Sequence, residues 1–458
     1  MASEKEDTGA KRRASPRARA LVRRELGRTL GAGILLPARA FGQLGYQLEL
    51  AAKVREDLAS HPTFAPDERE LQLPDRPLRI FVSCAEASGE THAVNLVAAL
   101  RAVLAEHGAP EPELVGLGGE RLRAAGVRTV GDPVRSARMG FSGVLGALPF
   151  YLHLLEDAAD ALLARTDLYI GVDSPALHVP LAHIARGAGV PAVQYITPQY
   201  WGWAPWRVKG FRHAVDRALS ILPFEPAWFA RHGVAVEHVG HPLLDELEPL
   251  AIGDGSPPAE GGRRTLAVLP GSRASVIARN LPLMLETLRA PLEQEPSWQL
   301  CLLQSSDQHL ELLERCVRES GLDPERVRIS QDLENELQSA EAALSVSGTI
   351  LIHLLRRRLP TVVLYRLSSA SEEWLGRHFL TVPYFSSVNL LSGSEVYPEF
   401  SFAGDEPPAG LRAAVDRLLS DAGWRAEVRG ELEVAVQRLG PPGASRRAAL
   451  AALACVPR

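Results

Sequence analysis

Short apolar runs alternate along most of the chain with longer stretches in which apolar residues recur at helical spacing. The first group of strand-like runs comprises LRIFVSC, PELVGLGG, DLYIGVD, VPAVQYI, ALSILPF and VEHVG. A Pro- and Gly-rich break at 252–262 separates it from a second group, TLAVLPGS, QLCLLQSS, RVRISQD, AALSVSG and TVVLYR. Because a loop and a helical stretch follow each run, the pattern predicts an α/β fold with two parallel sheets.

Changes in composition divide the chain further. Residues 1–76 form a basic extension that we expect to be partly disordered and partly helical. Residues 77–250 and 262–440 are predicted to be the two α/β domains, and residues 441–458 a C-terminal tail. A chain of 458 residues is also longer than one hydrophobic core usually supports, so two domains are the ordinary expectation.

The extension contains an amphipathic pattern, in which apolar residues recur at near-helical spacing from Phe41 to Leu58. Two interpretations fit this pattern. A basic tail with an apolar helix face binds anionic membrane surfaces. The same helix can instead pack on the protein's own body while the basic tail stays in solvent, and the spacing alone does not separate the two.

The average composition is that of an ordinary globular protein, with 46% hydrophobic and 23% charged residues. A net charge of −5 gives no indication of nucleic-acid binding. The four cysteines are scattered and include no Cys-x-x-Cys pair, so we expect neither a disulfide framework nor a zinc site. No apolar run is long enough for a transmembrane helix, and the residues indicate no metal or other cofactor.

The candidate chemistry lies in three strand-to-helix turns. Each brings small residues, hydroxyl groups or free backbone N–H groups to one edge of a parallel sheet, where phosphorylated ligands bind. Arg273 adds a guanidinium that holds phosphate oxygens at two points, whereas Glu86 and Glu90 suit sugar hydroxyls or an acceptor better than phosphate. Ordinary helix capping explains the same residues without a ligand. The candidates are Glu86, Ser88 and Gly89; Gly271, Ser272 and Arg273; and Ser347, Gly348 and Thr349.

A single aspartate, Asp173, ends the predicted strand DLYIGVD. At the carboxyl end of a parallel strand a carboxylate faces the ligand crevice, where it can accept the proton of an attacking hydroxyl. The alternative is a helix cap, with Pro175 in the first turn of the next helix.

Together these segments resemble the lipid-A-disaccharide synthase family over about residues 78–440. No single segment is decisive, but their order and spacing are highly specific. The resemblance implies the GT-B-like arrangement of two Rossmann-like domains facing a cleft, here with an N-terminal helical extension. The matching segments are CAEASGETH, VGLGGERLRAAG, MGFSGVLGALP, GVDSP, QYITPQYWGW, LPFEP, VGHPL, LPGSR, SVSGT, PTVVLYR and SVNLLSGSEVYPEF.

The resemblance implies an inverting hexosyltransferase that needs no metal. It would join the sugar of UDP-2,3-diacylglucosamine to 2,3-diacylglucosamine 1-phosphate (lipid X), forming the β-1,6-linked lipid A disaccharide 1-phosphate and releasing UDP. The first domain would bind the acceptor and the second the UDP-sugar. The family's enzymes are peripheral on the cytoplasmic face of the bacterial inner membrane, with no nucleic-acid partner, and the sequence leaves an oligomer open.

The family's functional residues carry over by position. Asp173 and Arg273 match its essential aspartate and arginine, with Asp173 a hypothetical general base and Arg273 neutralising the leaving diphosphate. The expected substrate-binding residues are Glu86, Ser88, Gly89, Met139, Gly271, Ser272, Ser347, Gly348, Thr349, His353, Asn389 and Glu399.

The chain also departs from the family's pattern at several polar positions. His353 stands where GT-B enzymes typically have a glutamate that binds the ribose hydroxyls, and His178 stands where the family has an asparagine. These changes leave open two alternatives: a related transferase using another UDP-sugar and lipid acceptor, and a catalytically silent paralogue that binds UDP-sugar or lipid. Further departures are Ala85, Glu90, Gly143, Ala176 and Val276.

Overall fold

The structure is a computed structural model, and three of the positions singled out above, Phe41, Met139 and Gly143, lie outside the residues it describes. Both ends of the Pro- and Gly-rich break lie outside them as well. The described residues are 14–34, 39, 42, 47–60, 63–138, 144–246 and 263–457.

Two parallel sheets organise the described part of the chain, and this confirms the predicted α/β fold. The first sheet consists of β1 (Arg79–Cys84), β2 (Glu113–Leu117), β3 (Arg128–Gly131), β4 (Leu168–Val172), β5 (Ala192–Tyr195), β6 (Arg217–Ser220) and β7 (Val236–His238). The second consists of β8 (Arg264–Leu269), β9 (Trp298–Leu303), β10 (Val327–Ser330), β11 (Ala340–Ser345), β12 (Thr361–Arg366) and β13 (Glu399–Phe402).

Both sheets share one strand order, 3-2-1-4-5-6, which the first sheet extends by a seventh strand. The first runs β3-β2-β1-β4-β5-β6-β7 and the second β10-β9-β8-β11-β12-β13. The sequence pattern did not predict β3 or β13. Each has only four residues and lies at a sheet edge, where β3 has no fully buried residue and β13 has one, so neither produces an apolar run.

Helices connect the strands of each sheet. The extension forms α1 (Pro16–Ile34) and α2 (Gln47–Leu58). The helices of the first unit are α3 (Ala87–Glu106), α4 (Glu120–Ala124), α5 (Pro133–Arg138), α6 (Val144–Leu163), α7 (Pro175–Gly187), α8 (Tyr200–Trp203), α9 (Val208–Ala214), α10 (Glu225–Arg231) and α11 (Leu243–Glu246), with a 3₁₀ turn at Pro205–Arg207.

The second unit and the C-terminal segment contain the remaining described helices. They are α12 (Ala274–Gln294), α13 (Leu310–Ser320), α14 (Leu333–Ser339), α15 (Ile350–Arg356), α16 (Ala370–Phe379), α17 (Ser387–Ser392), α18 (Ala409–Ser420), α19 (Ala422–Leu439) and α20 (Ala444–Leu453), with 3₁₀ turns at Asp307–His309 and Pro324–Arg326. None of the helices in the described ranges combines the length and hydropathy needed to span a lipid bilayer.

The central strands are buried on both faces, as expected for parallel sheets covered by helices. In β1, Ile80 and Val82 belong to one apolar cluster while Phe81 belongs to another, because successive side chains point to opposite faces. The strand order therefore fixes which loops meet at the carboxyl edge of each sheet.

The C-terminal segment returns to the first unit. Helix α20, within the predicted tail, packs on α3. Its N-terminus is held by Asp245, whose carboxylate accepts hydrogen bonds from the backbone N–H groups of Gly443 (2.6 Å), Ala444 (3.0 Å) and Ser445 (2.7 Å). The chain thus crosses from the second unit back to the first after α19.

The two described helices of the extension pack on the protein body, whereas residues 63–76 contain no helix. Helix α1 lies on α6 and α7 and buries Ala18 and Val22. Helix α2 contacts α10 and α17 and buries Val54 and Leu58, whereas Leu48 is exposed. At least part of the apolar face of α2 is therefore used inside the protein.

Candidate active site

The predicted site residues lie at two equivalent places, one in each sheet. In the first sheet, β1 and β4 are neighbours, and the strand order reverses direction between them; β8 and β11 stand in the same relation in the second sheet. Ligands of open parallel sheets bind outside the carboxyl ends of the strands at such switch points. The turn at Glu86–Gly89 and Asp173 lie at the first point, and the turns at 271–273 and 347–349 lie at the second.

A cavity of about 550 Å³ opens at the second switch point. The structure brings together here seven residues that the sequence analysis selected from three separate segments. Leu269, Val276, Leu303, Gln304, Ser305, Gln331, Leu333, Val346, Ile350 and Tyr365 complete the lining around Gly271, Ser272, Arg273, Ser347, Gly348, Thr349 and His353.

The turn after β8 has a backbone that requires glycine. Gly271 has φ +108°, and a Cβ atom on it would lie 2.8 Å from Cγ1 of Val276. Arg273 then caps α12, its carbonyl accepting the N–H groups of Val276 and Ile277. The Arg273 side chain is exposed and forms no ion pair with any described residue, so its guanidinium is free to meet an anion in the cavity.

The turn after β11 is tied to a loop from another part of the second unit. Ser347 Oγ donates a hydrogen bond to the carbonyl of Phe385 (3.3 Å). The Glu399 carboxylate in turn accepts the N–H groups of Phe385 (3.0 Å) and Ser386 (2.9 Å). This loop and the turn at Ser347 are therefore held in one arrangement.

Asn389 is fully buried behind that loop and does not line the cavity. Its Nδ2 donates to Glu399 Oε2 (3.0 Å) and to the Tyr397 carbonyl (2.8 Å), while its Oδ1 accepts the N–H groups of Val396 and Tyr397. Both polar atoms of the amide are bonded within the protein, so Asn389 affects the cavity by holding this loop in place. Glu399 lies beside it and likewise outside the lining.

His353 lines the same cavity and has a carboxylate partner that the sequence analysis missed. Its Nδ1 lies 3.2 Å from Oε1 of Glu334, on α14, and Arg357 pairs with the other oxygen of that carboxylate at 2.5 Å. Burial, reinforced by Arg356 and Arg357 and opposed by Glu334, lowers the pKa of His353. A neutral ring that donates from Nδ1 to Glu334 has Nε2 as a hydrogen-bond acceptor.

At the first switch point, Asp173 occupies a strained turn. Asp173 has φ +58° and Ser174 has φ +39°, values that residues other than glycine seldom adopt. The Asp173 carbonyl is held by two donors, Nδ1 of His178 (2.6 Å) and Nε2 of Gln194 (2.9 Å), while its N–H donates to the Tyr195 carbonyl (2.9 Å). The surrounding structure thus fixes where the carboxylate projects.

His178 is fully buried, and its second ring nitrogen lies 3.0 Å from Oγ of Ser83. Burial lowers the pKa of His178 to about 4, against the opposing effect of its bond to the Asp173 carbonyl. The ring is therefore neutral, donating from Nδ1 to Asp173 and accepting at Nε2 from the Ser83 hydroxyl. The sequence analysis treated His178 as a departure; its position one turn into the helix after Asp173 was the available signal.

The other described first-unit candidates, Glu86, Ser88 and Gly89, lie at the start of α3. Gly89 is buried, and a Cβ atom on it would lie 3.8 Å from Cβ of Asp173, whereas Glu86 and Ser88 are exposed. Glu90 has a different role. Glu90 is buried, and its Oε1 accepts a hydrogen bond from the N–H of Leu122 (3.1 Å). This bond caps the N-terminus of α4, because the residue at the N-cap position, Gly119, has no side chain to do so.

The first and second units contact each other through Thr381. Thr381, two residues after α16 in the second unit, donates through Oγ1 to the carbonyl of Trp201 (2.6 Å) and through its N–H to that of Gly202 (2.8 Å). Both acceptors belong to α8 of the first unit. Among the described side chains, no group of three or more His, Cys, Asp or Glu residues is arranged to hold a metal ion.

Comparison with known proteins identifies relatives of this chain. A family model described as Lipid-A-disaccharide synthetase matches residues 80–450. A lipid-A-disaccharide synthase of Myxococcus xanthus (strain DK1622) is 34% identical over 392 residues, covering 83% of this chain and 98% of the relative. One from Pseudomonas aeruginosa (strain LESB58) is 33% identical over 389 residues, covering 83% and 99%.

Solved structures share the fold at low sequence identity. A putative UDP-N-acetylglucosamine 2-epimerase from Listeria monocytogenes has a TM-score of 0.52 and 13% identity, covering 81% of this chain and 94% of that one. The S. aureus MnaA–UDP co-structure has a TM-score of 0.50 and 12% identity, covering 80% and 94%.

Proposed function

Because the chain belongs to the lipid-A-disaccharide synthase family, we propose that it is the glycosyltransferase of lipid A disaccharide formation. It transfers the diacylglucosamine unit of UDP-2,3-diacylglucosamine to the 6-hydroxyl of 2,3-diacylglucosamine 1-phosphate. The products are the β-1,6-linked disaccharide 1-phosphate and UDP.

The cavity at the second switch point carries this proposal. It joins the backbone turns of Gly271 and Gly348 with hydroxyl side chains and the unpaired guanidinium of Arg273. Backbone N–H groups and a guanidinium are the donors that a diphosphate requires. UDP occupies this cavity, with Arg273 on the diphosphate, where it neutralises the charge that grows as UDP leaves.

His353 serves the nucleotide in a different way. Its neutral ring is held by Glu334 with Nε2 as an acceptor, and it lines the cavity. A ribose hydroxyl donates to this nitrogen. The imidazole thereby supplies the acceptor that a glutamate would supply at the same position, and Glu334 fixes the ring orientation.

Asp173 carries the chemical step. Its carboxylate takes the proton of the acceptor 6-hydroxyl as that oxygen bonds to the anomeric carbon of the donor. The bond from that carbon to the diphosphate oxygen breaks at the same time, and UDP departs on the opposite face, so the configuration inverts. His178 and Gln194 act as positioning residues, because their donors hold the Asp173 backbone carbonyl and not the carboxylate.

The lipid nature of both substrates places the reaction at a membrane surface. We propose that the protein acts as a peripheral enzyme on the cytoplasmic face of the bacterial inner membrane. Phe150 and Tyr151 on α6 support this placement as exposed aromatic residues in the acceptor unit.

The test is UDP release by the full chain supplied with UDP-2,3-diacylglucosamine, with and without 2,3-diacylglucosamine 1-phosphate. We expect release that depends on the acceptor, with mass spectrometry identifying a disaccharide 1-phosphate. A well-folded protein that releases no UDP above the acceptor-free control, or releases it without forming disaccharide, would contradict the proposed function.

A further inference from the structure

A second cavity, of about 240 Å³, lies where the extension helix α1 meets the first unit. It has room for roughly eight water molecules at about 30 Å³ each. Three helices form it, and α1 lies outside the residues 80–450 that match the family model. The lining consists of Leu21, Arg24, Glu25 and Arg28 from α1, His183, Ile184, Arg186 and Gly187 from α7, and His213 from α9.

Helix α1 packs on α6 and α7, and the cavity lies along its contact with α7. The N–H of Ser15, which precedes α1, donates to Oδ2 of Asp160 (2.9 Å), and Val22 is buried beneath the helix. Gly187 allows the close approach, because a Cβ atom on it would lie 2.8 Å from Cδ2 of Leu21. Helix α1, which carries Arg24 and Arg28, is thus held against α6 and α7.

Positive charge exceeds negative charge around this cavity. Arg28 pairs with Glu25 (3.1 Å), and Arg186 pairs with Asp216 (3.1 Å), which lies just after α9. Arg24 forms no ion pair with any described residue. One guanidinium therefore stays without a carboxylate partner, and the two imidazoles of the lining stand beside it.

Glu25 and His183 are two titratable groups that line this cavity. Burial, with further contributions from Arg28, Arg186 and His213, lowers the pKa of His183 to about 4. Burial raises the pKa of Glu25 to about 7 and outweighs the opposing effects of Arg28 and Arg24. Near neutral pH the Glu25 carboxyl is thus partly protonated and supplies only part of a negative charge.

We propose that this cavity binds a phosphoryl group through Arg24, Arg28 and Arg186, either on a soluble phosphorylated molecule or in a phospholipid headgroup. Guanidinium groups bind phosphate oxygens bidentately, and three of them converge here from two helices. The cavity is mostly polar in lining, which suits a phosphoryl group better than an acyl chain. The site is separate from the cavity at Arg273 and shares no residue with it.

Calorimetric titration of the full chain with inorganic phosphate at low ionic strength tests this site. Arg24→Gln removes the unpaired guanidinium from the cavity. Arg23→Gln is the matched control, since Arg23 is exposed on the same helix and does not line the cavity. We expect R24Q to lower phosphate affinity about tenfold and R23Q to leave it within about twofold of wild type.

Phosphate could also bind at Arg273, so both titrations are repeated in an Arg273→Gln background. There the loss of phosphate affinity caused by R24Q must persist. Equal phosphate affinity in wild type and R24Q would overturn the proposal. An equal loss in R23Q and R24Q would also overturn it, because that result indicates only general surface charge. If circular dichroism shows that R24Q is misfolded, His213→Gln replaces it, since His213 is an exposed part of the lining.

Vesicle sedimentation then identifies the source of the phosphoryl group. The probes are vesicles of phosphatidylcholine alone and vesicles containing phosphatidylglycerol. A larger loss of binding to the anionic vesicles in R24Q than in R23Q supports a lipid headgroup. Equal losses in the two variants, together with the selective loss of phosphate affinity in R24Q, support a soluble phosphorylated ligand.

Discussion

The two switch points have the same strand topology but differ in how they use it. At the second, glycine turns, hydroxyl side chains and the guanidinium of Arg273 surround a cavity of about 550 Å³. At the first, one carboxylate stands on a backbone turn with positive φ, and two buried donors fix its carbonyl. The comparison indicates a division of work, in which one sheet provides room and charge for the nucleotide and the other holds a single reactive group rigidly.

The largest expected effect comes from Asp173→Asn. The amide keeps the size of the side chain but cannot take the proton of the acceptor hydroxyl, so we expect kcat to fall by about 10²–10⁴-fold. Steady-state disaccharide formation measures it. Asp167→Asn is the control, because Asp167 precedes the opposite end of β4 and pairs with Arg76. Near-wild-type kcat in D173N would remove Asp173 from the chemical step.

Arg273→Gln comes next and tests the other side of the comparison. Loss of the guanidinium should weaken UDP binding and lower kcat by about 10²–10³-fold, because charge on the departing diphosphate is no longer neutralised. Arg289→Gln, at an exposed position near the far end of α12, is the matched control. UDP affinity equal to wild type in R273Q would show that the guanidinium does not reach the diphosphate.

His178→Gln sharpens the comparison through pH dependence. The pKa of His178 is about 4 in the folded protein and 6.5 in an exposed chain, so the unfolded state binds the extra proton between these values. Stability therefore rises with pH across this window. The H178Q side chain keeps an N–H donor for the Asp173 carbonyl but has no group that titrates in this pH range. The free energy of unfolding of wild type minus that of H178Q should thus fall by roughly 3 kcal/mol from pH 6.5 to pH 4.

Urea unfolding at several pH values measures this difference, and the subtraction cancels titrating groups common to both proteins. Glu225 is one such group, since burial raises its pKa to about 7 and its contribution runs in the opposite direction. Parallel pH profiles for the two proteins would contradict the assignment of a buried neutral imidazole.

The smallest effect is expected from Glu334→Gln. Glu334 is half exposed, so its pair with His353 contributes little energy, but it orients the ring toward the cavity. We expect UDP affinity to fall about two- to fivefold, measured by calorimetry. Glu336→Gln is the control on the same helix, where Glu336 pairs with Arg328. A loss no larger than in E336Q would show that His353 does not depend on its carboxylate partner.

The sequence predicted the strands that carry apolar runs and the turns that follow them, because both signals are local. It missed β3 and β13, whose edge positions leave them half exposed. The contact of His178 with the Asp173 carbonyl was not predicted, because that carbonyl lies on a turn of positive φ that no residue type in the sequence indicates. Glu334 was missed because it reaches His353 from another helix, 19 positions earlier in the chain.

Asn389 illustrates a further limit. The family resemblance selected it as a substrate-binding residue, and that role stays a prediction. The structure shows an amide whose polar atoms are used by Glu399, Tyr397 and Val396. Its position behind the loop depends on the way residues 385–399 fold back on themselves, which the sequence pattern does not encode.

The division of work between the two switch points is tested most directly by titrating Asp173→Asn with UDP in a calorimeter. The account predicts that this variant, although unable to form disaccharide, binds UDP with wild-type affinity within about twofold. If a well-folded D173N protein loses UDP affinity as well as turnover, the account is contradicted, because the carboxylate would then belong to the nucleotide site.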